Sequence, residues 1–251
     1  PRSTTAALIA LTAIPPLALG SVHPRVMVFV GALAFGLAAL GLSLCRTNGR
    51  RARFSPLALA ALLLGATAAL QLIPLPATLL ATLSPLAHDG RIALGLDAGG
   101  PISLAPAQTA FAAARWFTLA GAALAVTWIL RGSGGNPRRA SVLVAKSLAV
   151  LGVTEVLIGI AQTAFGKAGT LLFVIPVTRK SLGILTGTFV NGNHAATLYA
   201  MAALAAAGLA AGRSGTSRGV WAGAATICAL GTVLTGSRGG ISALTVAGTG
   251  L

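Results

Sequence analysis

Long apolar runs dominate this chain and leave few folds open to it. Ala6–Gly20, Val26–Cys45, Pro56–Leu75, Ala110–Leu130, Ser141–Phe165, Ala195–Ala211 and Val220–Thr235 are apolar almost throughout, and a further run begins at Ile241. Several approach the ~20 residues that carry an α-helix across a bilayer. The polar complement is too small for the alternative. Charged residues make up 8% of the chain and hydrophobic ones 55%, whereas a water-soluble domain is about a quarter charged. The pattern predicts an all-α, polytopic transmembrane helix bundle of about eight spans. Ala6–Gly20 has the length of a signal-peptide core, but with so many spans behind it we read it as a first transmembrane helix. The chain starts at Pro1 and stops inside an apolar run, so the expectation is one transmembrane domain, 1–251, truncated from a longer protein.

The formal charge of +15 would suggest nucleic acid in a soluble protein. Here the bias of basic residues towards cytoplasmic loops is the simpler source, no block of Lys and Arg has the length of a nucleic-acid arm, and no nucleic-acid partner is expected. Arg46, Arg50, Arg51 and Arg53 follow the second span, Arg131, Arg138 and Arg139 the fourth, and Arg213 and Arg218 the sixth. If each run crosses once, these loops share one side, and the charge bias makes it the cytoplasm. Trp128 and Trp221 then fall at the cytoplasmic interface and Trp116 near the opposite one. Cys45 and Cys228 lie inside apolar runs and read as packing residues. Gly208 and Gly212 form a small-xxx-small pair suited to helix contact.

Two substantial loops lie on the opposite face. Residues 76–108 open with PATLLATLSPLA, apolar but too short to span and suited to an interfacial helix. Residues 166–193 contain Arg179 and Lys180 and end in the polar sequence Asn191-Gly-Asn193-His194. Asn is a preferred helix cap, so Asn191 or Asn193 suits the start of the sixth span. The same amides and imidazole also suit sugar hydroxyls or phosphate, and a helix N-terminus favours anions. A metal site would need more His, Asp or Glu than the chain offers, and none is expected.

Arg238, in TGSRGG, lies 20 residues beyond Arg218, or about 30 Å of helix, one hydrocarbon thickness. It therefore emerges on the face where His194 enters. Its guanidinium suits bidentate binding of phosphate oxygens, and it equally suits snorkelling to lipid headgroups. Glu155 is the one acid within a span, 9 residues after Lys146 and so about 13 Å further along the helix. It must be neutral, paired or beside a polar cavity, and Arg238 is one candidate partner. Gln71 and Gln162 read as formers of interhelical hydrogen bonds.

Taken together, GTFVNGNHAATLYAM and LTGSRGGISAL resemble the O-antigen ligase and polymerase superfamily of bacterial envelopes. PPLALGSVHP, LQLIPLPATLLATLSP and PISLAPAQTAFAAARW resemble other segments of that family, so the likeness covers most of the chain. It implies a glycosyltransferase of the C-type fold in the bacterial inner membrane, with its site facing the periplasm. It implies transfer of a glycan from an undecaprenyl-diphosphate-linked donor to a lipid, glycan or protein acceptor, without cofactor, metal or nucleotide sugar. Within it, Arg238 is the catalytic arginine that grips the diphosphate. Arg179 with Lys180, Asn191, Asn193 and His194 line the substrate site. The family's base lies in a later periplasmic loop, expected beyond Leu251, so the fragment alone is expected to be inactive. The alternative is a transporter or flippase for an anionic lipid or solute, for which Glu155 would serve; a non-catalytic membrane subunit is a third reading.

Overall fold

The computed structural model describes residues 24–134, 136–166, 185–189 and 191–249, together with 6, 9, 10, 13, 170, 171, 175 and 176. The expected first span, Ala6–Gly20, lies largely outside them. The chain forms two compact units, one of Met27–Gly134 and one of Gly135–Leu251 with Pro1–Val26, a division the apolar pattern does not announce.

In the unit Met27–Gly134, helix α1 (Pro24–Thr47) leads to α2 (Pro56–Leu70), two short helices α3 (Ala77–Leu83) and α4 (Pro85–Ala93), and α5 (Pro106–Gly132). Proline at the first position and a side-chain cap explain where α2 starts: the Ala58 N–H donates to Ser55 Oγ at 3.2 Å. Helices α1 and α5 run parallel, as successive contacts of Gly31 with Thr118, Gly121 with Phe35 and Gly132 with Leu44 require. A side chain at Gly41 would meet Ile129 N at 2.7 Å, so the absence of a Cβ there sets how close the two helices come. The apolar stretch after α2 is two helices, not one. It breaks at Ser84, because the residue before a proline is pushed out of the helical region. The 76–108 loop is closed at its base by paired bonds between Leu75 and Gly100, 3.0 and 2.8 Å, and Arg91 Nε donates to the carbonyls of Asp97 and Gly99. Gln71 caps α2, and its carbonyl accepts from Ser103 N at 3.1 Å.

The second unit holds α6 (Pro137–Ala164), a two-residue antiparallel ladder of β1 (Thr170–Leu171) with β2 (Ile175–Pro176), α7 (Gly192–Ala211), α8 (Gly215–Leu234) and α9 (Arg238–Gly248). Helix α7 is central. Its alanines are buried at 195, 196, 200, 202, 203, 206 and 210, and such small side chains let α6, α8 and α9 pack against it closely. The close approaches to it fall at Gly152 against Ala202 and Gly240 against Ala196, while Gly231 of α8 meets Val156 of α6. Gly208, by contrast, has open space where its Cβ would be, so the small-xxx-small pair predicted for packing is not the contact used. Cys45 and Cys228 are free thiols buried in packing.

Among the described residues, four helices are long and apolar enough to cross a membrane: Arg25–Thr47, Pro106–Gly132, Arg138–Ala164 and Gly192–Ala211. They coincide with four of the eight expected spans. Helix α2 is apolar but has 15 residues, about 22 Å against a hydrocarbon core of about 30 Å. Large apolar side chains also point outward, among them Val28, Phe29, Leu63, Val150, Leu157 and Leu230. This predominantly helical architecture fits a membrane helix bundle, with lipid as the solvent of its outer faces.

Candidate functional site

The two motifs singled out in the sequence meet at one end of the second unit. Gly240, third in α9, lies on Ala196, fifth in α7: a Cβ on Gly240 would stand 2.5 Å from the Ala196 Cβ. Further along, Leu244 packs against the buried cluster of Ala202, Ala203 and Cys228. The contacts advance in the same direction on both helices, so α7 and α9 run parallel and their N-termini share an end.

Each N-terminus is capped by its own sequence. Asn191 Oδ1 accepts from Asn193 N at 2.9 Å, and Ser237 Oγ accepts from Gly240 N at 3.2 Å. The cap of α7 is thus Asn191 alone. Asn193, also expected to cap, sits inside the first turn with its side chain exposed. His194 follows it, half-buried, its backbone N–H donating to Asn191 O at 3.0 Å.

Arg238 is the first residue of α9 and is exposed. Its guanidinium makes no hydrogen bond or ion pair with any described residue. Arg238, one candidate partner for Glu155, is not the one found. Glu155 is buried, and its carboxyl accepts from the Thr188 N–H at 2.8 Å and the Thr188 hydroxyl at 2.7 Å. A buried carboxyl needs such donors, and here a loop supplies them. Residues 185–189 fold into the unit ahead of α7, with Leu185 and Phe189 in the same apolar cluster as Val156, Leu198 and Tyr199.

Gly187 makes this possible. Its φ of 59° is left-handed, and a Cβ there would collide with Glu155 and stand 3.0 Å from the Tyr199 hydroxyl. That hydroxyl is fully buried and has no hydrogen-bond partner among the described residues. Thr188, Gly187 and Tyr199 were missed from sequence. The one available signal was that Tyr199 is the chain's single tyrosine, set in an apolar run where its hydroxyl needs a reason.

The arrangement has two layers. Above lie the two capped N-termini with Asn191, Asn193, His194 and Arg238, offering exposed amides, an imidazole, a free guanidinium and the positive ends of two helix dipoles. Below, the Glu155–Thr188 pair ties the preceding loop to α6. Such an end can hold an anion. Arg179 and Lys180 lie outside the described residues. Among the described residues no group of three His, Cys, Asp or Glu side chains gathers as a metal site would require. No family model matches the chain, and neither does a curated protein or a solved structure.

Proposed function

We propose that this chain holds the diphosphate of a polyprenyl-linked glycan donor at the periplasmic face of the bacterial inner membrane, as part of a glycosyltransferase of the O-antigen ligase or polymerase type. One observation carries the reading: the α9–α7 contact at Gly240 and Ala196 sets an exposed Arg238, unpaired among the described residues, beside the first turn that bears Asn191, Asn193 and His194. The diphosphate is the anion this end suits. The guanidinium takes two of its oxygens in a bidentate pair, while the free N–H groups of two helix starts add partial positive charge.

In the reaction, the bond between the anomeric carbon and the diphosphate oxygen breaks, and its electron pair stays on that oxygen. The acceptor hydroxyl oxygen forms the new glycosidic bond and gives its proton to a base, which the family resemblance assigns to a later loop. Charge grows on the leaving diphosphate, so positive groups placed beforehand lower the barrier. Asn191, Asn193 and His194 orient the sugar and its first phosphate. The lipid-linked donor already stores the energy, which suits a compartment without nucleotide sugars.

The test uses the complete gene in a strain lacking its own copy. Arg238→Ala and Arg238→Lys are compared with wild type for protein level and surface glycan by gel. The expected result is normal protein, lost glycan and accumulated lipid-linked donor, with Lys failing to rescue because a point charge does not replace the planar fork. Unchanged glycan in both variants would remove Arg238 from the reaction and favour the transporter reading.

A further inference from the structure

In the unit Met27–Gly134, an open cleft of about 430 Å³ is lined by Arg50, Arg51, Arg53 and Arg131. Four guanidinium groups around one space repel one another, and no acidic side chain of this unit stands at that end to offset them. The chain has three acidic residues in all. Asp89 and Asp97 lie past the far end of α2, and Glu155 belongs to the other unit. The bias of basic residues towards one side of the membrane explains which end they occupy, but not their convergence on one cleft.

The convergence is built. Asn48 Nδ2 donates to Gly132 O at 2.9 Å, Arg50 N to Cys45 O at 2.7 Å, and Trp128 Nε1 to Arg53 O at 2.9 Å. The first and third of these bonds fasten the segment after α1 onto the C-terminal end of α5, and the second folds it back on α1. Arg50 alone of the four commits its guanidinium to protein, donating to Arg131 O at 2.8 Å. The side chains of Arg51, Arg53 and Arg131 make no hydrogen bond or ion pair with a described residue, and all three residues line the cleft.

We propose that this cleft binds the phosphate of an anionic phospholipid headgroup. Two features point to lipid. The cleft stands where two helices long and apolar enough to cross a membrane, α1 and α5, end together. Beside it, Phe54 and Leu57 are 58% and 57% exposed, and Phe54 stacks edge-on against Trp128 at 5.6 Å. A headgroup phosphate among the arginines leaves its acyl chains on that apolar ledge. Bidentate arginine pairs suit the phosphate oxygens, and the cluster repels the ammonium of a zwitterionic headgroup. The inference does not depend on the glycan-transfer reading.

Trp128 is a built-in reporter. The whole chain carrying Trp116→Phe and Trp221→Phe is placed in phosphatidylcholine nanodiscs, and quenching is measured with phospholipids brominated high on their acyl chains. Phosphatidylglycerol is expected to quench Trp128 at about one-tenth the mole fraction that phosphatidylcholine needs, given roughly tenfold or more from several basic groups near the headgroup. Adding Arg51→Gln with Arg53→Gln should abolish the preference, whereas Arg138→Gln with Arg139→Gln should keep it. Equal quenching by the two lipids overturns the proposal without reference to any arginine variant. So does a preference that survives Arg51→Gln with Arg53→Gln. Reversal by a few millimolar inorganic phosphate, at unchanged ionic strength, would assign the cleft to a soluble phosphate instead and overturn it as a lipid site.

Discussion

Arginine stands at helix ends in both units, and in the two it meets opposite fields. In the unit Met27–Gly134, Arg46 and Arg131 lie in the last turns of α1 and α5, and Arg50 donates to a carbonyl of α5's final turn. Cations there face the negative ends of helix dipoles, each worth about 0.3–1 kcal/mol. In the second unit Arg238 opens α9, whose first turn lies on the first turns of α7. It faces two positive ends with no acid beside it. The first setting partly explains itself as stability. The second costs stability and asks for an anion to offset it, which is why the functional reading rests on Arg238.

The largest effects should come from the glycines that hold each pair of ends together. A Cβ on Gly132 would stand 2.6 Å from Leu44 Cβ and 2.8 Å from the backbone nitrogen of Cys45, whereas on Gly240 the nearest atom is Ala196 Cβ at 2.5 Å. Three atoms within 3.0 Å crowd the first position and only one the second. Gly132→Val should cost about 3 kcal/mol and Gly240→Val about 1–2 kcal/mol, within the usual range for overpacking, measured by reversible unfolding in mixed micelles. Function should rank the other way per molecule of folded protein, with surface glycan falling further in Gly240→Val because it parts Arg238 from the α7 turn. Retained glycan in a folded Gly240→Val protein would break the link between convergence and activity.

Next in size is the tie beneath the α7–α9 end. Glu155→Leu removes the acceptor of both the Thr188 N–H and its hydroxyl, and should cost about 2–3 kcal/mol. Glu155→Gln, which keeps one carbonyl oxygen for the amide, should cost about 1 kcal/mol. Hydrogen exchange reads the effect locally: residues 185–189 should lose protection in the Leu variant and largely keep it in the Gln variant. Equal exchange in wild type and Glu155→Leu would mean that the loop is held by the packing of Leu185 and Phe189 alone.

This tie also marks where sequence reasoning stopped. That NGNH and GSRGG share an end follows from counting residues through α8, since 20 residues of helix rise about 30 Å. Asn191 as a cap and Pro56 at a helix start are local backbone chemistry and could be read directly, whereas the stretch that breaks before Pro85 reads from its apolar pattern as a single helix. The partner of Glu155 could not. A neutral, hydrogen-bonded carboxyl and a pairing with Arg238 were both open, and the carboxyl is met by a neutral loop that turns inward at a left-handed glycine. Nothing in the spacing of TGTF says that it enters the bundle. Gly208 and Gly212 mislead for the same reason: a small residue permits close approach, and only the neighbouring helix decides whether it is used.

The smallest effect tests the comparison most directly, because it predicts a sign. Arg50→Ala removes a charge-assisted bond at a helix C-terminus and should lower stability by about 0.5–1 kcal/mol, less than a buried bond because the group is exposed. Arg238→Ala removes a cation from two helix N-termini and should raise stability by about 0.3–1 kcal/mol. Both shifts should shrink with added salt, Arg238→Ala the more completely since no hydrogen bond is lost. An Arg238→Ala protein that is more stable and yet assembles no glycan would show a residue retained against its helix for the sake of what it binds. One that is less stable would mean that its side chain supports the fold, and the contrast between the two arginine settings would fail.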